Sequence, residues 1–244
     1  MARIQQQPAY VLHPRAYRET SLIIEVLTRD HGRTAMVARG AKSPKSKWRN
    51  LLQPFRPLLI SWSARGELGT LTGAEQVAAP PGLHGEALYC GMYLNELLIR
   101  LLHRGDPQPE VFARYRQVLA DLASGSSPQP VLRIFEKHLL EEIGYGLILN
   151  HEQDTDAQIR DDAMYDYRPD SGPVRLSDNS GHQGRAVSGK ALLALQAEQL
   201  TEDILPDLRR LMRRVIGYHL GDKPLASQAL FSSPGRKAEK AHEQ

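Results

Sequence analysis

Between His31 and Gly66 the chain carries eight basic residues and no acidic one: Arg33, Arg39, Lys42, Lys45, Lys47, Arg49, Arg56 and Arg65. The densest part reads Arg39-Gly-Ala-Lys-Ser-Pro-Lys-Ser-Lys-Trp-Arg49. Cations at this spacing, with no carboxylate among them, create a local positive potential. The commonest polyanion that answers such a potential is a nucleic acid backbone. Arg33, Arg39, Lys42, Lys45, Lys47 and Arg49 are therefore the candidate DNA contacts. A solvated basic loop with no ligand is the alternative that the run alone leaves open.

Two further basic features recur at helical spacing. Arg209, Arg210, Arg213 and Arg214 align as i, i+4 pairs on a segment whose other side carries Leu208, Leu211, Met212, Val215 and Ile216. They are secondary candidates for DNA contact, with a solvated helix face as the alternative. Arg133 and Lys137 form another i, i+4 pair beside Phe135 and Leu139. That pair suits an acidic peptide with an apolar end, or is a plain surface pair.

Catalytic patterns are thin. Gly184-Arg-Ala-Val-Ser-Gly-Lys190-Ala191 fits the spacing of a phosphate-binding loop. Ala191 stands where a hydroxyl should hold Mg²⁺, and no apolar strand precedes the string. The competing reading is a helix start with Ser188 as N-cap. A nucleotide-using enzyme is thus the rival function class, and a protein-only scaffold the third. The nine histidines show no H-E-x-x-H pattern, and the single cysteine, Cys90, excludes a thiolate zinc set and an intrachain disulfide. No nucleophile elbow occurs. The residues read as those of a binding protein, not an enzyme, with no metal and no cofactor.

The elements that must position these residues change at residue 80. Residues 1–80 hold twelve Lys/Arg against five Asp/Glu, whereas 81–244 hold nineteen against twenty-three. The first part offers five short β-rich runs: Ala9–His13, Ser21–Leu27, Thr34–Ala38, Arg56–Trp62 and Glu67–Thr72. Asp30-His-Gly32 makes the turn between the second and third. Five short strands without a long helix suit a small barrel. Ala79-Pro-Pro-Gly82 ends this pattern. Helical periodicity then runs over Glu86–His103, from Pro107/Pro109 to Ser124-Gly125, and from Pro130 to Gly144. Residues 150–184 are acidic and turn-rich, an irregular connector with one weak hairpin. Helices follow at Ser188–Leu200 and Pro206–Leu220. The fold class is α+β: an N-terminal barrel domain over 1–80, a helical domain over 81–231 and a disordered tail over 232–244. No apolar run approaches the ~20 residues of a membrane span. The first residues lack an apolar signal core, so a cytoplasmic, nucleoid-associated protein is expected.

Ordered anchors along the chain then narrow the reading. They are Glu19-Thr-Ser-Leu-Ile-Ile, Gly32-Arg-Thr-Ala-Met-Val-Ala-Arg-Gly-Ala-Lys42, Leu52-Gln-Pro-Phe-Arg-Pro-Leu58, Leu88-Tyr with Tyr93-Leu-Asn-Glu-Leu-Leu98, Leu132-Arg-Ile-Phe-Glu136, Gly144-Tyr-Gly146, and Gly221-Asp-Lys-Pro-Leu225 with Leu230-Phe231. Together they closely resemble the RecO family of bacterial DNA repair and recombination mediators. The resemblance implies an N-terminal OB-fold that binds single-stranded and double-stranded DNA and anneals complementary strands in the RecF pathway. It also implies work with the partner RecR. It further implies docking on the C-terminal tail of the single-stranded-DNA-binding protein, to help load recombinase. At the matching positions, Arg133 would meet the tail's terminal carboxylate and Lys137 its acidic residues. Tyr115, Leu132, Phe135 and Leu139 would form the apolar pocket. Trp48 would stack on a base, or serve as core or surface. Some members carry a cysteine zinc site where this chain, over about 150–184, has no cysteine, so no zinc is expected.

Overall fold

The five β-rich runs form strands in the computed structural model, which describes residues 2–64, 66, 68–177, 185–221 and 223–227. They are β1 (Ala2–Tyr17), β2 (Ser21–Thr28), β3 (Gly32–Ala38), β4 (Leu58–Ala64) and β5 (Leu68–Gln76). They close into a barrel in the order β1-β2-β3-β5-β4, with β4 returning to pair with β1. All pairings are antiparallel except β3 with β5, where Ala35, Met36 and Val37 face Leu68, Gly69 and Thr70. This is an OB-like closed barrel.

β1 is much longer than its apolar run. One strand can serve two neighbours because it bends. Its register shifts between Ile4 and Gln7 against β4 and between Val11 and His13 against β2. Bulges of this kind let a strand turn a barrel corner. Inside lie Val11, Ile24, Val26, Met36, Leu58, Ile60, Trp62 and Leu71. Gly69 is needed at the parallel seam, because a Cβ there would stand 2.9 Å from the Trp62 ring.

Two helices belong to the same compact unit, which among the described residues covers 2–125 together with 225–227. The unit therefore extends beyond the compositional change at 80. The physical reason is burial: α1 (Gly85–Leu101) and α2 (Pro109–Ala123) pack against β1 of the barrel. Asn95 on α1 donates to the Leu12 carbonyl at 2.9 Å and accepts from the Tyr115 hydroxyl of α2 at 2.5 Å. Tyr10 of β1 packs edge-on against Tyr115 and tilts against Phe112. Cys90 is a buried free thiol in α1. The segment from Leu225 is fastened by Glu96, whose two carboxylate oxygens accept the Ala226 and Ser227 backbone N–H groups, each at 2.8 Å. Burial would raise the Glu96 pKa, but the hydrogen bonds from Ser227 and Ala226 outweigh it and hold the carboxyl below its ordinary value.

The second unit, residues 126–224, holds α3 (Pro128–Glu142), β6 (Met164–Arg168), β7 (Gly172–Arg175), β8 (Ala186–Ser188), α4 (Gly189–Ala197) and α5 (Leu205–Leu220). The stretch expected to be an irregular connector is more ordered than its composition suggests. Its hairpin β6–β7 exists, and β8 pairs on the other side of β6 to make a three-stranded sheet, β7-β6-β8. Two buried tyrosines organise it. The Tyr165 hydroxyl accepts the Arg160 N–H at 2.9 Å, and the Tyr167 hydroxyl accepts the Ile148 N–H at 3.0 Å. Burial pushes the Tyr167 pKa up to about 12. The α4 helix stops at Glu198, which is left-handed with φ 58°. The expected disordered tail, 232–244, lies outside the described residues, as do 178–184.

Candidate nucleic-acid interface

The basic run becomes the long connection between β3 and β4. Its backbone is a succession of turns: the carbonyls of Gly40, Ser43 and Ser46 accept from the N–H groups of Ser43, Ser46 and Arg49. Short polar residues, Gly and Pro favour this geometry over a strand or helix. Apolar residues pin the loop to the barrel. Ala41 and Leu52 are buried in the barrel core, and Trp48 and Leu51 pack against it. The Lys42 N–H donates to the Thr20 carbonyl at 2.8 Å, which ties the loop to the β1–β2 turn. With its apolar residues turned inward, the loop exposes Arg39, Lys42, Lys45, Lys47 and Arg49. These five cations form a fixed positive ridge.

Trp48 has a definite place. Its ring is half-buried against the core, and the Lys47 ammonium lies 4.5 Å from its centroid. It acts as the loop's anchor, and its accessible face is shared with Lys47.

Arg33 departs from the expected set. Its guanidinium donates to Glu25 at 2.9 Å and to the Leu102 carbonyl at 3.0 Å, and its side chain is 13 % exposed. Arg104 also pairs with Glu25. Arg33 is thus ion-paired and joins β3 to the end of α1. Sequence distance hid this, because Glu25 and Arg104 lie outside the basic run. Arg56 is held by the Gln76 side chain at 2.7 Å, and Arg65 lies outside the described residues. One cation that the run did not include is Arg18. It is exposed at the β1–β2 turn and its carbonyl accepts from the Lys42 ammonium at 3.5 Å. Its guanidinium lies 5.1 Å from the Tyr17 ring centroid.

In the second unit α5 buries Leu208, Leu211, Met212, Val215 and Ile216, as its periodicity requires. Its four arginines are not equivalent. Arg209, Arg210 and Arg213 are exposed, with Arg210 paired to Asp207. Arg214 is half-buried: it donates to the Arg185 carbonyl at 2.9 Å, lies 3.6 Å from Asp166, and burial lowers its pKa.

The residues assigned to the partner tail sit differently from what a surface dock, or a plain surface pair, requires. Arg133 is 5 % exposed and bonded to the fully buried Glu136 at 2.5 Å. Lys137 reaches Glu198 at 2.7 Å, and His138 lies 2.7 Å from the same oxygen. Burial would raise the Glu198 pKa, but Lys137 and His138 hold it below its ordinary value. Leu132, Phe135 and Leu139 are core residues of the second unit. Tyr115 is a buried member of the first unit, bonded to Asn95. Helical periodicity put the apolar residues on one face correctly. It could not show that Arg133 shares that buried face with its own carboxylate partner.

At the phosphate-loop-like string, Gly184 lies outside the described residues. Ser188 caps α4 by accepting the Ala191 N–H at 3.2 Å, and Lys190 pairs with Asp203 at 2.7 Å. Among the described residues no group of three or more His, Cys, Asp or Glu could hold a metal ion, and no helix is long and apolar enough to cross a membrane.

Comparison with known proteins divides the chain at the same compositional change. The family description "Recombination protein O N terminal" matches residues 1–80, and "Recombination protein O C terminal" matches residues 83–229. This chain belongs to the RecO family. Relatives named DNA repair protein RecO extend the match over nearly the whole length. The one from Nitrosospira multiformis is 47% identical over 230 residues, covering 94% of this chain and 95% of the relative. That from Nitrosococcus oceani is also 47% identical, covering 94% of this chain and 93% of its own. That from Coxiella burnetii is 44% identical, covering 94% and 98% respectively. The closed barrel with its basic β3–β4 loop coincides with the RecO N-terminal match, and α3 to α5 lie within the C-terminal one.

Proposed function

We propose that this RecO-family chain binds single-stranded DNA on the β3–β4 loop and anneals complementary strands without nucleotide turnover. The observation that carries the reading is the ridge of Arg39, Lys42, Lys45, Lys47 and Arg49. All five are exposed, on a loop that contains no carboxylate and is pinned to a closed barrel. Annealing needs no bond chemistry. It needs two polyanions brought together with their charge screened, and a fixed row of ammonium and guanidinium groups supplies that screening. Duplex DNA presents the same phosphates and is a second substrate of the ridge. Arg209 and Arg213 on α5 are the secondary positions for phosphate contact.

The wider role is that of a mediator in DNA repair and recombination. It acts with RecR and docks on the tail of the single-stranded-DNA-binding protein to help load recombinase. Family membership supports this role. Arg133 serves as the tail's carboxylate contact only when its pair with Glu136 opens. The rival reading, a nucleotide-dependent enzyme, finds Lys190 paired to Asp203 and Ser188 used as a helix cap.

Annealing of complementary labelled oligonucleotides tests the proposal. Replacing Lys42, Lys45, Lys47 and Arg49 by Ala should abolish acceleration of the reaction, and ATP should not alter the rate. Unchanged annealing by that variant would refute the assignment to the loop.

A further inference from the structure

Leu12, Pro54, Phe55, Met92 and Ile99 give an apolar lining to a groove of about 540 Å³ in the first unit. Its wall is built with care for shape. Phe55 holds a left-handed backbone, φ 68°, which an aromatic residue adopts only where its surroundings impose it. The Phe55 ring lies against Gly91 of α1, where a Cβ would stand 2.9 Å from it. Among the described residues the groove is open enough to leave Met92 44 % exposed. Ala226 and Ser227 line the same groove, held by the Glu96 carboxylate. The chain continues from that point as Gln228-Ala-Leu-Phe231, which lies outside the described residues. We infer that the chain closes this groove itself, with the side chains of Leu230 and Phe231.

Three observations select this occupant. The first is reach: four residues span at most about 14 Å, so Phe231 stays close to the groove that Ser227 lines. The second is composition. Leu230 and Phe231 are the only large apolar residues after Leu225, and the remainder, Ser232 to Gln244, is polar or small. Water opposes leaving such a pair exposed beside an apolar surface, and full burial favours each by roughly tenfold or more. The third is the clamp. Glu96 fixes the backbone at Ala226 and Ser227, so the pair is presented to the groove at an effective concentration of about millimolar. A free peptide of the same character would have to compete with that. Residues 225–231 then form a strap with three fastenings: the buried Leu225, the Glu96 clamp and the apolar pair.

A double-mutant cycle in the full-length protein tests the strap, and its result does not depend on DNA binding. The two tryptophans, Trp48 and Trp62, both lie in the first unit, so their emission in urea follows that unit. Leu230→Ala/Phe231→Ala should lower the folding equilibrium constant at least about tenfold. Met92→Gln is nearly isosteric and adds no charge beside Glu96. It should cost at least about fivefold in the wild type and less than about twofold in the Leu230→Ala/Phe231→Ala background. If the double variant does not fold, Phe231→Leu takes its place in the cycle. Equal costs of Met92→Gln in both backgrounds would mean that the pair does not cover Met92, and would overturn the inference. So would a full-strength fold in the Leu230→Ala/Phe231→Ala variant. Ending the chain after Ser232 should change the constant less than about twofold, and a loss as large as that of the double variant would place the contact in the polar remainder instead. Sedimentation should show the same mass for wild type and double variant; a wild-type dimer that the double variant dissolves would mean that the pair fills the groove of a second copy, which also overturns it.

Discussion

The salt dependence of DNA binding can be worked out from the loop, and it is sharp enough to fail. Each phosphate neutralised on a single strand contributes about −0.7 to the slope of log K against log salt. Five exposed cations on the ridge give a slope of about −3.5 if each meets one phosphate. Counting Arg33 as well would give about −4.2, but its side chain is largely buried and already paired with Glu25. Replacing Lys42, Lys45, Lys47 and Arg49 by Ala leaves Arg39 alone, and the slope should collapse to about −0.7. Between 50 and 200 mM salt the wild type then loses roughly a hundredfold in affinity and the variant roughly threefold. Fluorescence anisotropy of a labelled oligonucleotide across a salt series measures both. The loop residues Ala41, Trp48 and Leu52 are untouched, so the loop should keep its place on the barrel. A variant that retains a slope near −3.5 places binding elsewhere. A wild-type slope near −1 means that one phosphate is neutralised and the ridge does not track a strand. A slope near −4.2 would mean that a sixth cation, Arg18 or an Arg33 released from Glu25, also meets a phosphate.

Three further outcomes follow from buried and half-buried groups. Tyr115→Phe removes the hydroxyl that donates to Asn95, leaves a buried acceptor unpaired and should destabilise the first unit by about 1–3 kcal/mol in urea denaturation; an unchanged midpoint would show that Asn95 finds another donor. Arg133→Ala strips Glu136 of its buried cation and should cost about 3–5 kcal/mol of stability, with oligonucleotide affinity unchanged; a fully stable variant would mean the pair contributes nothing net. Glu96 is held below its ordinary pKa in the folded chain. Its stabilisation is therefore complete above the ordinary glutamate range of about 4.3 and is lost as pH falls through the lowered value. The gap in melting temperature between wild type and Glu96→Gln should narrow as pH drops, and a gap that stays constant would contradict the ionised clamp on Ala226 and Ser227.

The amino-acid sequence by itself determined the strands, the helices and the ridge. The short β-rich runs at Ser21–Leu27 and Thr34–Ala38 and helical periodicity in α1, α2, α3 and α5 are local patterns, and each of these elements formed within a few residues of where its pattern lies. Ser188 as a helix cap was likewise legible, because capping needs only a hydroxyl and a nearby N–H. The exposed cations Arg39 to Arg49 were legible because a charge run with few apolar residues has nowhere to be buried. Only the tertiary structure decided which charges are free. Arg33 is paired with Glu25 and Arg133 with Glu136, whereas Arg209 and Arg213 lie exposed along an open groove. The same holds for β1, whose bulges make sense only once β2 and β4 flank it, and for β8, three residues too short to announce themselves. Ion pairs and sheet ladders depend on which groups the fold brings within a few ångströms, and sequence separation says little about that distance.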